Sequence, residues 1–299
     1  MNDNKTWGIA DAWSTAFAAQ PARELSPRNY IYATELGKAP VEVWLRMHAV
    51  APTNPPNDRA KMKMEAGKVV EGIVKFVFMR AGILKEHQVE ANTTVEGVEI
   101  HGRLDFIAGG KPDLAQGMEA VKMLDMIDES LGRAGKAVIE YMVEHFPEGL
   151  PEQPFEVKSI GTFGMDAMEN SRRAIKIHRY QTEHYLFTKN FQSAELSYIC
   201  RDDFRMIEHA ISASPESKKE YMDAVLELKP WITSETQPPN APMLIFDTEA
   251  GKFSKNLDVS WSSYLTLIYG FKTPREYDEP YGKMATNWNR VLKRLKNGD

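Results

Sequence analysis

The sequence predicts an α/β protein with a mixed central β-sheet flanked by helices, together with helical N-terminal, inserted and C-terminal elements. Short runs that alternate apolar and charged residues, such as QPFEVKSIGTF at positions 153–163, are typical of strands. Longer runs with apolar residues at helical spacing lie between them. A hairpin followed by a strand, a long helix and another strand indicates antiparallel and parallel pairs in one sheet.

The N-terminal part of the chain is expected to be helical. Ser26-Pro27 is a typical helix start, and a second helix is expected after Pro40. Valines at helical spacing predict a third helix over positions 61–83. Glu71 lies on this helix one turn after Gly67, beside its apolar stripe.

A β-hairpin is expected next. The Glu96-Gly97 pair is turn-like and follows a strand-favouring Thr-Thr-Val run. In the second arm, alternation places Leu104 on one face and both Arg103 and Asp105 on the other.

The C-terminal half predicts a return to the same sheet after a helical insertion at about 109–153. This insertion has a helical pattern with an interruption near Gly132 and Gly135. The strand FEVKS follows, then one helix over 166–190 and a strand at AELSYIC. A helix is expected from Asp202 or Asp203, and a C-terminal extension is expected over about 235–299.

Composition sets limits on the class of protein. The chain has 299 residues, of which 42% are hydrophobic and 26% charged, so we expect one large folded domain over 1–299. Its N-terminus, MNDNKTWGIADAW, lacks a signal pattern, and no run reaches the ~18 apolar residues of a membrane span, so a cytoplasmic protein is expected. A net charge of −5 argues against a wholly nucleic-acid-binding surface but allows local basic patches.

A single cysteine excludes several kinds of site. Cys200 is the only one, so this chain cannot form an intrachain disulfide or supply four cysteines to an iron–sulfur cluster. We therefore expect no iron–sulfur cluster.

The triplet Glu-x-Lys occurs three times, and its context separates the copies. The copies at Glu216 and Glu227 fall in helical patterns, where spacing two places the charges on different faces. Only Glu156-Val157-Lys158 falls in a strand pattern, where both charges project from one face. A surface ion pair would account for this triplet, and so would a metal site that cuts nucleic acid.

The second interpretation gains support from Asp105, which precedes the triplet on a predicted strand. Hydrolysis of a phosphodiester uses a divalent ion to polarise the phosphate and activate water, and Mg²⁺ prefers oxygen ligands. Asp105 and Glu156 on neighbouring strands, with the Val157 carbonyl, would supply such oxygens. Lys158 would point into the same cleft and orient the water or offset charge on the phosphate.

The runs HGRLDF, FEVKS and QTEHY, in this order, resemble the PD-(D/E)XK nuclease superfamily, in particular its RecB-like exonuclease branch. The chain is similar to the CRISPR adaptation nucleases of that branch, but lacks their iron–sulfur cysteines. The resemblance implies a restriction-endonuclease-like core at about 60–108 and 154–210 and a Mg²⁺- or Mn²⁺-dependent exonuclease. It implies that Glu71, in place of the usual histidine, is a metal ligand, and that Gln181 and Tyr185 line the DNA path or shape the cleft. A solvated helix flank would also explain Glu71, and a core tyrosine with its hydroxyl bonded would also explain Tyr185.

We expect DNA as the main partner, held by phosphate contacts from basic and hydroxyl side chains. The candidates are Arg172, Arg173, Lys176, Arg179 and Ser159. A solvated helix face would explain the four basic residues equally well. The resemblance implies a role in DNA recombination, repair or phage DNA processing in a bacterial or phage-infected cell, with a recombination or replication protein as partner, such as a single-strand annealing protein or a helicase. Two alternatives stay open: an inactive nuclease-fold protein that binds DNA or a recombination partner, and an interaction scaffold built on the insertion.

Overall fold

The computed structural model describes residues 25–248 and 251–297. The N-terminal run on which the absence of a signal pattern was judged lies outside the described residues. The chain divides into two units. The sheet unit comprises Tyr32–Gly37 and Met62–Leu226, and the terminal unit comprises Met1–Ile31, Lys38–Lys61 and Glu227–Asp299. The single nuclease domain over 1–299 stays a prediction.

The strands are β1 Ile31–Tyr32, β2 Leu84–Glu90, β3 Thr93–Val95, β4 Val98–His101, β5 Arg103–Gly110, β6 Leu150–Ile160, β7 Ser193–Cys200, β8 Met206–Ser212, β9 Leu244–Asp247 and β10 Lys252–Lys255. The α-helices are α1 Pro40–Met47, α2 Asp58–Arg80, α3 Leu114–Ile127, α4 Glu129–His145, α5 Thr162–Ser171, α6 Lys176–Lys189, α7 Pro215–Ile232, α8 Leu257–Ser260, α9 Leu265–Tyr269 and α10 Pro274–Asn297. A 3₁₀ turn covers Ala33–Glu35.

A five-stranded mixed sheet forms the centre of the sheet unit, in the order β2-β5-β6-β7-β8. Strand β6 pairs antiparallel with β5 and parallel with β7, and the outer pairs are antiparallel. The parallel pair requires a crossover, which α5 and α6 provide. The predicted mixed α/β architecture with flanking helices is therefore confirmed.

Helices cover both faces of this sheet. On one face, Val70 of α2 packs against Phe106, Phe155 and Val157. On the other face, Leu186 of α6 and Met168 of α5 pack with side chains of β7 and β8. Because the side chains of a strand alternate between faces, burial of Phe155 and Val157 under α2 directs Glu156 towards α6.

The insertion between β5 and β6 is a pair of helices that packs on the end of α2. The interruption lies at Asp128, whose carboxylate caps α4 by accepting a 2.8 Å hydrogen bond from the Ser130 N–H, so its predicted position near Gly132 and Gly135 was wrong. Both glycines lie within α4, where it crosses α3 closely. A Cβ at Gly135 would stand 2.9 Å from Leu124.

Four other predicted elements differ from the structure. The second arm of the predicted hairpin divides at Gly102 into β4, which pairs with β3 outside the five-stranded sheet, and β5, which belongs to that sheet. Ser26-Pro27 does not begin a helix, because Ile31–Tyr32 is extended and only the 3₁₀ turn follows. The helix over 166–190 breaks after α5, where Arg172 adopts a left-handed φ of 52°. No helix starts at Asp202; the chain turns there and returns as β8, antiparallel to β7. Residues 207 and 211 explain this error, because two isoleucines four positions apart fit a helix face as well as one face of a strand.

The terminal unit has its own small cores. Val41 and Leu45 of α1 pack with Tyr264, and Val259, Leu265 and Tyr277 form a second cluster. Strands β9 and β10 pair antiparallel, and β9 lies within the run PMLIFD. Among the described residues, no helix is both long and apolar enough to span a bilayer.

Candidate active site

Asp105 and Glu156 face each other where β5 and β6 separate. The last paired positions on this side are Phe106 and Phe155, and Asp105 and Glu156 come next on each strand. The following backbone N–H, that of Val157, donates to the Asp105 carboxylate at 2.9 Å instead of to a β5 carbonyl. The opening of the ladder therefore brings both acids to one point on adjacent strands, as the sequence predicted.

Lys158 lies on the same face as Glu156, in agreement with the strand periodicity. Its Nζ donates to Glu156 Oε1 at 2.5 Å. The Glu156 side chain is only 1% exposed, and among the described residues its second oxygen, Oε2, is buried without a hydrogen-bond partner. A buried carboxylate oxygen without a donor is costly, so a ligand bound at this atom would offset part of the cost of burial.

Helix α6 supports Glu156 from behind. The Gln181 side-chain amide donates to Glu156 Oε1 at 2.8 Å and to the Tyr185 hydroxyl at 2.7 Å, and that hydroxyl donates to the Arg103 carbonyl. The predicted common helix face of Gln181 and Tyr185 is thus present. Both side chains are buried. Tyr185 is packed in the core with its hydroxyl bonded within the protein, and a contact of either side chain with DNA stays a prediction.

Gly102 is required by this packing. A Cβ there would lie 2.8 Å from the Tyr185 ring and 2.9 Å from the His184 ring. Any side chain would therefore push α6 away from β5, which explains the glycine three positions before Asp105.

Glu71 reaches the site from α2 through a residue that the sequence did not indicate. Gln88 on β2 donates from Nε2 to Glu71 Oε1 at 2.8 Å and to Asp105 Oδ1 at 3.4 Å. His87 Nε2 lies 3.7 Å from the same Glu71 oxygen, and its other ring nitrogen is 3.0 Å from Lys75 Nζ. The structure thus connects Glu71, Asp105 and Glu156 into one acidic cluster with amide and amine donors between them.

The charges in this cluster perturb one another strongly. Burial, together with the nearby Glu156 carboxylate, raises the pKa of the Asp105 carboxyl to about 8, against the opposing effects of Lys158 and of the Val157 N–H. Burial also raises the pKa of Glu156, against the opposing effect of Lys158. Burial alone would lower the pKa of Lys158, but attraction to Glu156 and Asp105 outweighs it and the pKa is raised. Lys158 is therefore protonated, bonded to Glu156 and attracted to the charge of Asp105.

The remaining predicted contacts lie around this cluster rather than in it. Ser159 follows on β6, and its hydroxyl is buried without a partner among the described residues. Arg172 and Arg173 are exposed in the connection between α5 and α6. Lys176 lies 5.4 Å from the centre of the Tyr180 ring, and Arg179 pairs with Glu220 and, at 3.7 Å, with Glu183. The charge of Arg179 is therefore largely balanced by acids of its own protein.

The acidic side chains of this cluster do not all converge on one point where a cation could bind. Within residues 25–248 and 251–297, no group of three or more His, Cys, Asp or Glu side chains is arranged to hold a metal ion. Gln88 stands between Glu71 and Asp105, and Lys158 occupies one Glu156 oxygen. Asp105 and Glu156 are the pair that the backbone brings together directly.

Comparisons with known proteins give remote structural matches only. No protein-family model matches the chain, and no curated protein matches it in sequence. Among solved structures, SSO0001 is similar at 14% identity and a TM-score of 0.40, covering 77% of this chain and 90% of its own. An alkaline exonuclease from Laribacter hongkongensis is similar at 12% identity and a TM-score of 0.39, covering 74% of this chain and 94% of its own. The same enzyme in complex with dAMP gives a TM-score of 0.40 at 12% identity.

Proposed function

We propose that the protein is a Mg²⁺- or Mn²⁺-dependent deoxyribonuclease of the PD-(D/E)XK type, and more narrowly an exonuclease. The observation that carries this proposal is the convergence of Asp105, Glu156 and Lys158 at the point where β5 and β6 separate. The DNA recombination, repair or phage processing role, and a protein partner such as an annealing protein or helicase, are part of the same proposal.

The donor set suits a hard divalent cation. Asp105 and Glu156 would hold it. The Val157 carbonyl and Glu71, which shares the Gln88 amide with Asp105, would be further oxygen ligands. The Glu156 oxygen that lacks a hydrogen-bond partner among the described residues supports this choice, because a cation bound there would offset part of the cost of its burial. When bound, such a cation polarises the phosphate and lowers the pKa of the attacking water.

The protein's own residues have distinct tasks in this proposal. The Lys158 ammonium orients the water and offsets charge that develops on the phosphate. Gln181 fixes the Glu156 carboxylate, and Tyr185 fixes Gln181 through the Arg103 carbonyl. Ser159 and the basic residues of α6 and its preceding loop are proposed to contact phosphates.

The test is cleavage of matched linear and covalently closed circular DNA with Mg²⁺, Mn²⁺ or EDTA. We expect metal-dependent loss of linear DNA alone. Lys158→Ala should lower the rate by roughly a hundredfold or more, because it removes a charge aimed at the transition state. Lys218→Ala is the matched control, because Lys218 ends the same triplet on the exposed surface of α7, and it should cleave normally.

Cleavage of the circular DNA would support the same active site but would show that the protein is an endonuclease. Full activity of Lys158→Ala would exclude the mechanism.

A DNA-binding protein without catalysis is the second candidate. It is favoured by one observation, that Lys158 already occupies a Glu156 oxygen that a cation would need. Salt-dependent retention of DNA in EDTA, with no cleavage under any condition, would establish it in place of the nuclease.

A further inference from the structure

Gln88 has an unusual backbone for a residue in a strand. It lies opposite Asp105 in the β2–β5 register, between the pairs His87–Phe106 and Val89–Leu104. Its φ is +53°, in the left-handed region that residues with a Cβ rarely adopt. Departures of this kind at a defined strand position re-aim side chains and concentrate at functional sites.

The consequence is that neighbouring side chains reach one carboxylate. In a regular strand His87 and Gln88 would point to opposite faces. Here Gln88 Nε2 is 2.8 Å and His87 Nε2 is 3.7 Å from the same oxygen of Glu71. The left-handed turn of the backbone at Gln88 thus carries its amide over the acidic cluster.

The chemistry of the amide suits this position. One Nε2 donates to Glu71 and to Asp105, which come from two different elements. A neutral donor holds two carboxylates near each other without cancelling the negative charge that attracts a cation. A lysine or arginine at this position would hold them too, but would compete with the cation directly.

We propose that Gln88 is a positioning residue that holds Glu71 and Asp105 in place for a divalent cation. This inference rests on the proposed function, because it requires that the cluster binds a cation. If Gln88 had only a structural role, its loss would change the melting temperature and leave cation affinity as it was.

The test is direct Mn²⁺ binding to the DNA-free full-length protein, by titration calorimetry and by Mn²⁺ electron paramagnetic resonance, with melting temperatures recorded in EDTA. Gln88→Gly removes the side chain and suits the positive φ. Glu96→Gly is the matched control, because Glu96 has a φ of 52° in the hairpin turn, away from the acids.

We expect Gln88→Gly to bind Mn²⁺ at least tenfold more weakly than the wild type, with an unchanged or higher melting temperature. Glu96→Gly should bind Mn²⁺ as the wild type does. Equal affinity of Gln88→Gly and wild type would overturn the positioning role while leaving the nuclease proposal intact. Absence of Mn²⁺ binding by the wild type would overturn the nuclease proposal, and with it the role of Gln88.

A second variant decides the case in which Gln88→Gly folds poorly. Gln88→Lys keeps a donor to both acids but places a positive charge between them, so the folded protein should lose Mn²⁺ binding more completely than Gln88→Gly. Wild-type affinity in Gln88→Lys would overturn the proposal.

Discussion

The same Glu-x-Lys triplet occurs in strand β6 and in helix α7, and it behaves differently in the two places. In β6, Glu156 is buried and bonded to Lys158 and Gln181. In α7, Glu216 and Lys218 are both exposed at the start of the helix. Strand periodicity places both charges on one buried face, whereas helical periodicity separates them. Identical residues therefore acquire large interaction energies only where the backbone buries them together.

The largest effect is expected from removing the buried acid. Glu156→Ala breaks a buried ion pair, because it removes the hydrogen-bond acceptor of the Lys158 ammonium and one of the two acceptors of the Gln181 amide, so the free energy of unfolding should fall by roughly 3–5 kcal/mol. Urea unfolding of the variant and the wild type would measure the difference. Glu216→Ala on α7 should leave the urea midpoint unchanged. Equal effects of the two substitutions would contradict the buried pair in β6.

Histidines allow the same comparison of a buried and an exposed residue. His184 on α6 is fully buried, while His145 at the end of α4 is exposed. The Ala91 carbonyl can only accept, so His184 donates from Nε2 and its Nδ1 accepts from the Tyr221 hydroxyl. Burial lowers the pKa of His184 from 6.5 to about 4.

A lowered pKa gives a pH dependence of known sign. Between pH 6.5 and about 4 the unfolded chain binds a proton at His184 that the folded protein does not bind. The free energy of unfolding therefore keeps the contribution of His184 above this window and loses it as the pH falls through the window. The loss is about 3 kcal/mol, since each pKa unit corresponds to about 1.4 kcal/mol. His184→Gln should reduce the slope of unfolding free energy against pH in this window, and His145→Gln should not. A wild-type slope in His184→Gln would show that other groups cause it.

The parts of the site that could be predicted are those that depend on local periodicity. Alternation along β6 placed Glu156 and Lys158 on one face, and helical spacing placed Gln181 and Tyr185 together on α6. Gln88 could not be predicted, because its role depends on the register between β2 and β5 and on a left-handed backbone that nothing in HQVE indicates. The break at Arg172 was missed for the same reason, since arginine has no preference for a positive φ.

Arginines provide the last and smallest contrast, between a paired and an exposed charge in one segment. Arg179 is held by Glu220 and Glu183, and its guanidinium pKa is raised, with burial opposing the effect of the two acids. Arg172 is exposed, and among the described residues no acid forms an ion pair with it. A charge already balanced within the protein releases few counterions when it meets a phosphate.

DNA binding in EDTA at several salt concentrations separates the two cases. Arg172→Ala should reduce the slope of log K against log salt by about 0.9, the value for one phosphate contact on duplex DNA. Arg179→Ala should leave the slope nearly unchanged, because its loss also frees Glu220 and Glu183. If Arg179→Ala reduced the slope as much as Arg172→Ala, its ion pairs would have to open when DNA binds. The basic residues of α6 and of the connection before it would then bind phosphate as one surface, and not only at Arg172.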